Sequence, residues 1–184
     1  SAAALMSASL VFSSFSAEAA FAAENDSVLV LGDSIASGND GATIKFSDIM
    51  ASYLSSDDIK NMAKNGVTTS SLRDSVTADN TDISKAVADY DSIVISAGGH
   101  DYLNAIKSVI KDYLDEGDTL ENMTEEKLQV IKDRINADRE NAAAKLSKIT
   151  EVTEPAYENV SASVEAIKEI NPDAEVYVLT LYNP

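Results

Sequence analysis

The chain has 184 residues, of which 45% are hydrophobic and 24% charged, and this size and composition suit one globular domain with its own core. Lys and Arg number 14 against 31 Asp and Glu, so the net charge is −17, and a field of that sign excludes nucleic acids and anionic membrane surfaces as expected partners. The absence of cysteine excludes disulfides, thiolate metal sites and cysteine nucleophiles.

The N-terminal residues have the pattern of a secretory leader. Residues 2–15 are small or apolar and uncharged, and small-x-small sites follow at 17–19 and 20–22. The stretch is shorter than the roughly 20 apolar residues that a membrane span needs. We therefore expect residues 1–23 to be a signal peptide remnant and 24–184 to form one domain. The protein is expected to be secreted or at the cell surface, without a stable membrane span.

The periodicity of apolar residues predicts helices and strands that alternate along the chain. In chain order these are a strand over 27–31, a helix over 42–54, a weaker strand over 58–63, a helical stretch over about 70–89, a strand over 92–97, a helix that Gly117 ends, a helical stretch from Thr124 to Ile149, a helix from about Pro155 to Ile170, and a strand over 175–181. Such alternation predicts an α/β fold, with a parallel, flavodoxin-like sheet between helical layers as a three-layer α/β/α sandwich.

Three predicted loops follow the carboxyl ends of the first three strands, where ligands bind in open parallel sheets. They are 32–38, 65–70 and 98–102. Ser34 can present its hydroxyl at this edge, and its own N–H can point towards a developing oxyanion. The alternative is a turn in which Gly, Asp and Ser simply cap the next helix. The segment is neither the Gly-x-Ser-x-Gly elbow nor a glycine-rich phosphate loop.

The motifs in these segments together resemble a known family. Gly-Asp-Ser at 32–34, Asn-x-Ala-x-x-Gly at 61–66 and Gly-Gly-x-Asp at 98–101 resemble the first three conserved blocks of SGNH/GDSL hydrolases. Residues 178–184 resemble the fourth-strand segment of the bacterial lipase/acylhydrolase branch. The resemblance implies the SGNH hydrolase fold and a serine esterase or lipase. It also implies no cofactor and a small-molecule ester substrate, either a lipid or an acylated sugar.

The resemblance also implies roles for particular residues. Ser34 would be the nucleophile that forms an acyl-enzyme, and the N–H groups of Ser34 and Gly66 would be donors of the oxyanion hole. The family's third donor is an asparagine side chain, and His100 occupies that position here. A neutral imidazole can donate one N–H, so His100 can take this role. Two alternatives stay open for His100: the base for Ser34, or a loop histidine without chemistry. Asp33 and Asp101 would hold loops by hydrogen bonding.

The family's catalytic base and acid lie in an Asp-x-x-His segment near the C-terminus, and this sequence has none. We therefore expect a domain that is incomplete at its C-terminus and a 184-residue chain that is inactive alone. The acidic residues lack the spacing of a calcium loop, so no metal site is predicted. One alternative function is a catalytically impaired exported protein of this fold that binds a glycan or lipid. A weaker one is a flavodoxin-like ligand domain.

Overall fold

A computed structural model describes residues 27–38, 47, 49, 58–119 and 123–179. The strands in these ranges are β1 (Val28–Gly32), β2 (Ile59–Asn61), β3 (Ser92–Ser96) and β4 (Glu175–Val178). The helices are α1 (Ser34–Ser37), α2 (Thr69–Thr77), α3 (Asp82–Asp89), α4 (Gly99–Lys111), α5 (Glu125–Ala137), α6 (Arg139–Thr150) and α7 (Thr153–Ile170). The predicted leader, the segment from 180 onwards and all but two residues of the predicted helix over 42–54 lie outside the described residues.

The four strands form an all-parallel sheet in the order β2-β1-β3-β4. In the central pair, Val28 lies opposite Ser92 and Gly32 opposite Ser96. The chain moves from β1 to one side of the sheet and then returns to the other side, so the direction of winding reverses between β1 and β3. Ligands of open parallel sheets bind at the carboxyl ends of the strands beside such a reversal.

Helices pack on both faces of the sheet, which confirms the predicted α/β fold. β1 and β3 are buried along their whole length, as continuous apolar runs predict. Leu29, Leu31, Ile93 and Ile95 form a core with residues of α2, α3 and α7, and each such buried side chain contributes about 1.5–3 kcal/mol. On the other face, Val28, Val30 and Val94 pack with Ala36 of α1. None of the described helices is long and apolar enough to cross a membrane.

Two predicted helical stretches are each divided into two helices. The stretch over 70–89 is interrupted at Asn80, whose φ is 59°, and α3 begins after Thr81, whose side chain accepts a hydrogen bond from the Ser84 N–H. The stretch from Thr124 to Ile149 is broken at Asp138, between α5 and α6. Short polar side chains compete with the helix for backbone groups, which favours such breaks.

The segment after β3 is helical where a loop was expected. Gly98 follows β3 by two residues and has a left-handed φ of 116°. The helix α4 starts at the next residue, Gly99. The segment 98–102 is therefore mostly the first turn of α4. That helix ends at Lys111 and not at Gly117. The start predicted at Thr124 is confirmed, since its side chain accepts from the Lys127 N–H.

Gly32 is predicted to be indispensable to the sheet. Its φ is 145°, and a Cβ there would lie 1.9 Å from the Ser96 carbonyl oxygen. We expect Gly32→Ala to lower the free energy of unfolding, measured by urea denaturation, by about 3 kcal/mol or more. Gly117→Ala is the matched control, because its φ is also positive at 86° while no described atom lies within 4 Å of its Cβ position. That control should lose only about 1 kcal/mol, and equal losses would contradict the prediction.

Candidate active site

Ser34 is the first residue of α1 and lies directly beyond β1. Asp33 caps this helix, with its Oδ1 accepting a hydrogen bond from the Ile35 N–H at 3.0 Å. Asp33 is only 1% exposed, whereas Ser34 is an exposed residue. The helix-cap interpretation is therefore correct for Asp33. It leaves the Ser34 side chain free of the cap, at the carboxyl edge of the sheet.

Asp33 also joins the segment after β1 to the segment after β3. Its Oδ2 accepts from the Gly99 N–H at 3.0 Å, and its own N–H donates to the Ser96 carbonyl at 2.9 Å. A buried carboxylate is costly unless its oxygens are paired. Here each oxygen has a backbone donor, so the carboxylate holds the first turns of α1 and α4 together.

The end of β2 and the segment after it are held against the end of β1 and against α1 by three further hydrogen bonds. The Lys64 N–H donates to the Gly32 carbonyl at 3.0 Å, and the Asn61 side-chain amide donates to the Ala36 carbonyl at 2.8 Å. The Ser37 hydroxyl donates to Oδ1 of Asn65 at 2.9 Å. These contacts place the turn at Asn65 and Gly66 beside the short helix that begins at Ser34.

A two-bond clasp joins the segments after β2 and β3. The Thr69 N–H donates to Asp101 Oδ2 and the Thr69 hydroxyl to Asp101 Oδ1, both at 2.9 Å. The ring of His100 lies over Gly66, because a Cβ on that glycine would be 3.9 Å from His100 Nε2. The structure therefore brings Gly66 and His100 together, and the contacts of Asp33 and Asp101 agree with their expected loop-holding roles.

The groups predicted to act in catalysis lie at this edge without a hydrogen-bond partner among the described residues. Within the described part of the chain, no hydrogen-bond partner is found for the N–H of Ser34 or Gly66, the Ser34 hydroxyl or the His100 ring. Preorganised donors of this kind can stabilise an anionic oxygen. A triad histidine is oriented by a hydrogen-bonded carboxylate, and no such carboxylate is found at His100 among the described residues. The same residues contain no cluster that could hold a metal ion.

Several residues that position the site were not identified from the sequence. Asn61 received no role, yet its Oδ1 accepts from the Ala63 N–H at 3.0 Å while its amide reaches α1. An asparagine that starts a turn after a strand is the signal that could have found it. Nothing local signals the bonds from Ser37 to Asn65 and from Thr69 to Asp101, because they join distant parts of the chain.

Comparison with known proteins gives similarity of fold alone. No family model matches the chain, and no curated protein is similar in sequence. A phospholipase A1 from Streptomyces albidoflavus NA297 superposes with a TM-score of 0.51 at 13% identity, covering 87% of this chain and 64% of that one. A lipase, Lip_vut3, from a goat rumen metagenome has a TM-score of 0.37 at 18% identity, with coverages of 85% and 80%. The chain thus spans just under two thirds of the phospholipase.

The carboxylate of Asp33 is predicted to stabilise the fold as well as the site. In Asp33→Asn, one backbone N–H would face an amide NH₂ in place of a carboxylate oxygen, so we expect a loss of about 2 kcal/mol in urea denaturation. Asp115→Asn changes the charge equally but removes only an exposed ion pair with Arg134, and should cost less than about 1 kcal/mol. Similar losses in the two variants would contradict this assignment.

Proposed function

We propose that the protein is an ester hydrolase of the SGNH/GDSL kind, with Ser34 as its nucleophile. The observation that carries the proposal is the joining of three strand-end segments by hydrogen bonds, which gathers the motifs of Ser34, Gly66 and His100 at one sheet edge. The fold similarity to a phospholipase A1 supports the same class of chemistry. The proposed substrate is a small-molecule carboxylic ester, either a lipid or an acylated sugar.

The reaction proceeds through an acyl-enzyme. Ser34 Oγ bonds to the carbonyl carbon and gives its proton to a base, while the carbonyl oxygen becomes an oxyanion. The N–H groups of Ser34 and Gly66, and the Nε2–H of His100, donate hydrogen bonds to that oxyanion. The C–O bond then breaks, the alcohol leaves with a proton, and water hydrolyses the acyl-enzyme. In this mechanism the nucleophile and the oxyanion donors are described residues, and no described residue acts as the base.

Location and charge complete the proposal. The leader-like pattern of residues 1–23 supports export, so the substrate would be met outside the cell or at its surface. The net charge of −17 favours neutral esters over anionic ones, because the field of the protein repels anions.

Ser34→Ala in the natural full-length protein is expected to lower the hydrolysis of p-nitrophenyl acetate by about 10³-fold or more, because no other group supplies the nucleophile. A fluorophosphonate should label the peptide that contains Ser34, detected by mass spectrometry. Ser108→Ala, at an exposed serine of α4, is the control and should retain wild-type activity. Full activity in Ser34→Ala would refute the proposal.

Substitutions of His100 test whether this residue acts as an oxyanion donor or as the base. His100→Asn restores the amide of the resembled family and should keep activity within about tenfold, while His100→Ala should lose about 10²–10³ in kcat. Thermal unfolding of both variants checks that they are folded. If His100 were the base, the asparagine variant would be as inactive as the alanine variant.

A second candidate function is an exported protein that binds a glycan or lipid at the same edge. It is favoured by one observation, the presence of His100 at the position where the resembled family has its oxyanion asparagine. The fluorophosphonate experiment separates the two candidates. A binding protein would leave Ser34 unlabelled and would still show saturable binding of a glycan or lipid by calorimetry.

A further inference from the structure

The clasp between Thr69 and Asp101 extends into α7, the long helix on the other side of α2. Thr69 is 1% exposed, and its Oγ1 accepts a hydrogen bond from the side-chain amide of Asn159 at 3.2 Å. The other end of that amide, Oδ1, accepts from Nη1 of Arg73 at 2.5 Å. Residues of α2, α4 and α7 are thus connected in one chain of hydrogen bonds that ends beside His100.

The direction of each hydrogen bond in this chain is fixed by its ends. The guanidinium of Arg73 can only donate, so it faces the oxygen of Asn159, and the nitrogen of Asn159 must then face Thr69. The carboxylate of Asp101 only accepts, so the hydroxyl proton of Thr69 goes to Asp101. The chain therefore runs one way from a cation to a carboxylate, and hydrogen bonds in such a series polarise and strengthen one another.

We propose that Asn159 is a positioning residue that acts through Thr69 and Asp101 to set the spacing of Gly66 and His100. Thr69 follows Gly66 by three residues and is the first residue of α2, and Asp101 is the neighbour of His100 in α4. The clasp between them holds the imidazole over Gly66. The inference rests on the proposed function, in which Gly66 and His100 donate to one oxyanion. Displacing a catalytic group by about 1 Å can cost about 10²-fold in rate.

The hydrogen bond between Asn159 and Thr69 is not needed to hold α7 in place. Leu72 and Val76 of α2 already pack with Ile167 of α7 in the main core. The amide of Asn159 adds little apolar area, but it supplies the donor that occupies the lone pairs of Thr69 Oγ1. Its specific contribution is to keep the Thr69 proton directed at Asp101.

The test follows the imidazole Hε1 resonance of His100 in a proton NMR spectrum of the natural full-length protein, where it is identified as the resonance that His100→Asn removes. Asn159→Asp keeps the size of the side chain and replaces the donor towards Thr69 with an acceptor. Thr69→Val removes the hydroxyl without changing the shape. Each variant should shift the His100 resonance, and the double variant should shift it no further than Thr69→Val alone. Thr69→Ser, which retains the hydroxyl, should leave the resonance near its wild-type position.

Asn136→Asp is the matched control, since Asn136 is an exposed asparagine of α5, and it should not move the resonance. Asn159→Ala, which adds no charge, replaces Asn159→Asp if that variant does not fold. The inference is overturned if a folded Asn159 variant keeps the wild-type His100 resonance. It is also overturned if the shifts of Asn159→Asp and Thr69→Val add in the double variant, because Asn159 would then not act through Thr69.

A kinetic measurement on the natural full-length protein gives a second readout. On p-nitrophenyl acetate, Asn159→Asp should lower kcat about tenfold, which is the loss expected for one hydrogen bond, and should change KM by less than about twofold. A purely structural role would lower stability without this division between kcat and KM. Failure of the proposed function would leave every variant and the wild type inactive, while the NMR result would still decide the role of Asn159.

Discussion

The carboxylate of Asp33 is the interaction on which the carboxyl edge of the sheet depends. Asp33 is 1% exposed and lies at the ends of the two central strands. Its two carboxylate oxygens accept hydrogen bonds from N–H groups in the first turns of α1 and α4. Charge-assisted bonds of this kind offset the cost of burying the charge. The approach of the strand ends is possible because Gly32 lacks a Cβ that would overlap the Ser96 carbonyl. Both residues lie where the winding of the sheet reverses, so one contact fixes the starts of the helices that surround this edge.

The sequence allowed much of this fold to be predicted, and the exceptions have physical causes. β1 and β3 are recognisable because strands buried on both faces need uninterrupted apolar runs. β2 is a weak signal because its three residues are half-buried or exposed. The helix breaks near Thr81 and Asp138 do not disturb the apolar periodicity on either side, so the periodicity alone does not reveal them. The start of α4 depends on the left-handed backbone of Gly98, which apolar periodicity does not encode.

Part of the candidate site could be predicted from the sequence, and part of it could not. Ser34 and Gly66 follow strands of a parallel sheet, and the topology alone brings such positions to one edge. The position of His100 over Gly66 depends instead on Thr69 and Asp101, which are 32 residues apart in the sequence. The contact of Thr69 with Asn159 spans 90 residues. Side-chain contacts over such separations leave no periodic trace, so this part of the site is visible only in three dimensions.

The hydrogen bonds at the carboxyl edge of the sheet go beyond those of a simple set of helix caps. Asp33, Asn61 and Asp101 each accept or donate two side-chain hydrogen bonds, and no buried side-chain polar atom in the described residues lacks a partner. Among the residues that the structure describes, no acceptor is found for the N–H groups of Ser34 and Gly66 in the middle of this network. A set of caps alone would gain stability by satisfying them as well. Rigid surroundings with open donors are the arrangement that stabilises a transient oxyanion, because nothing has to reorganise when the charge develops.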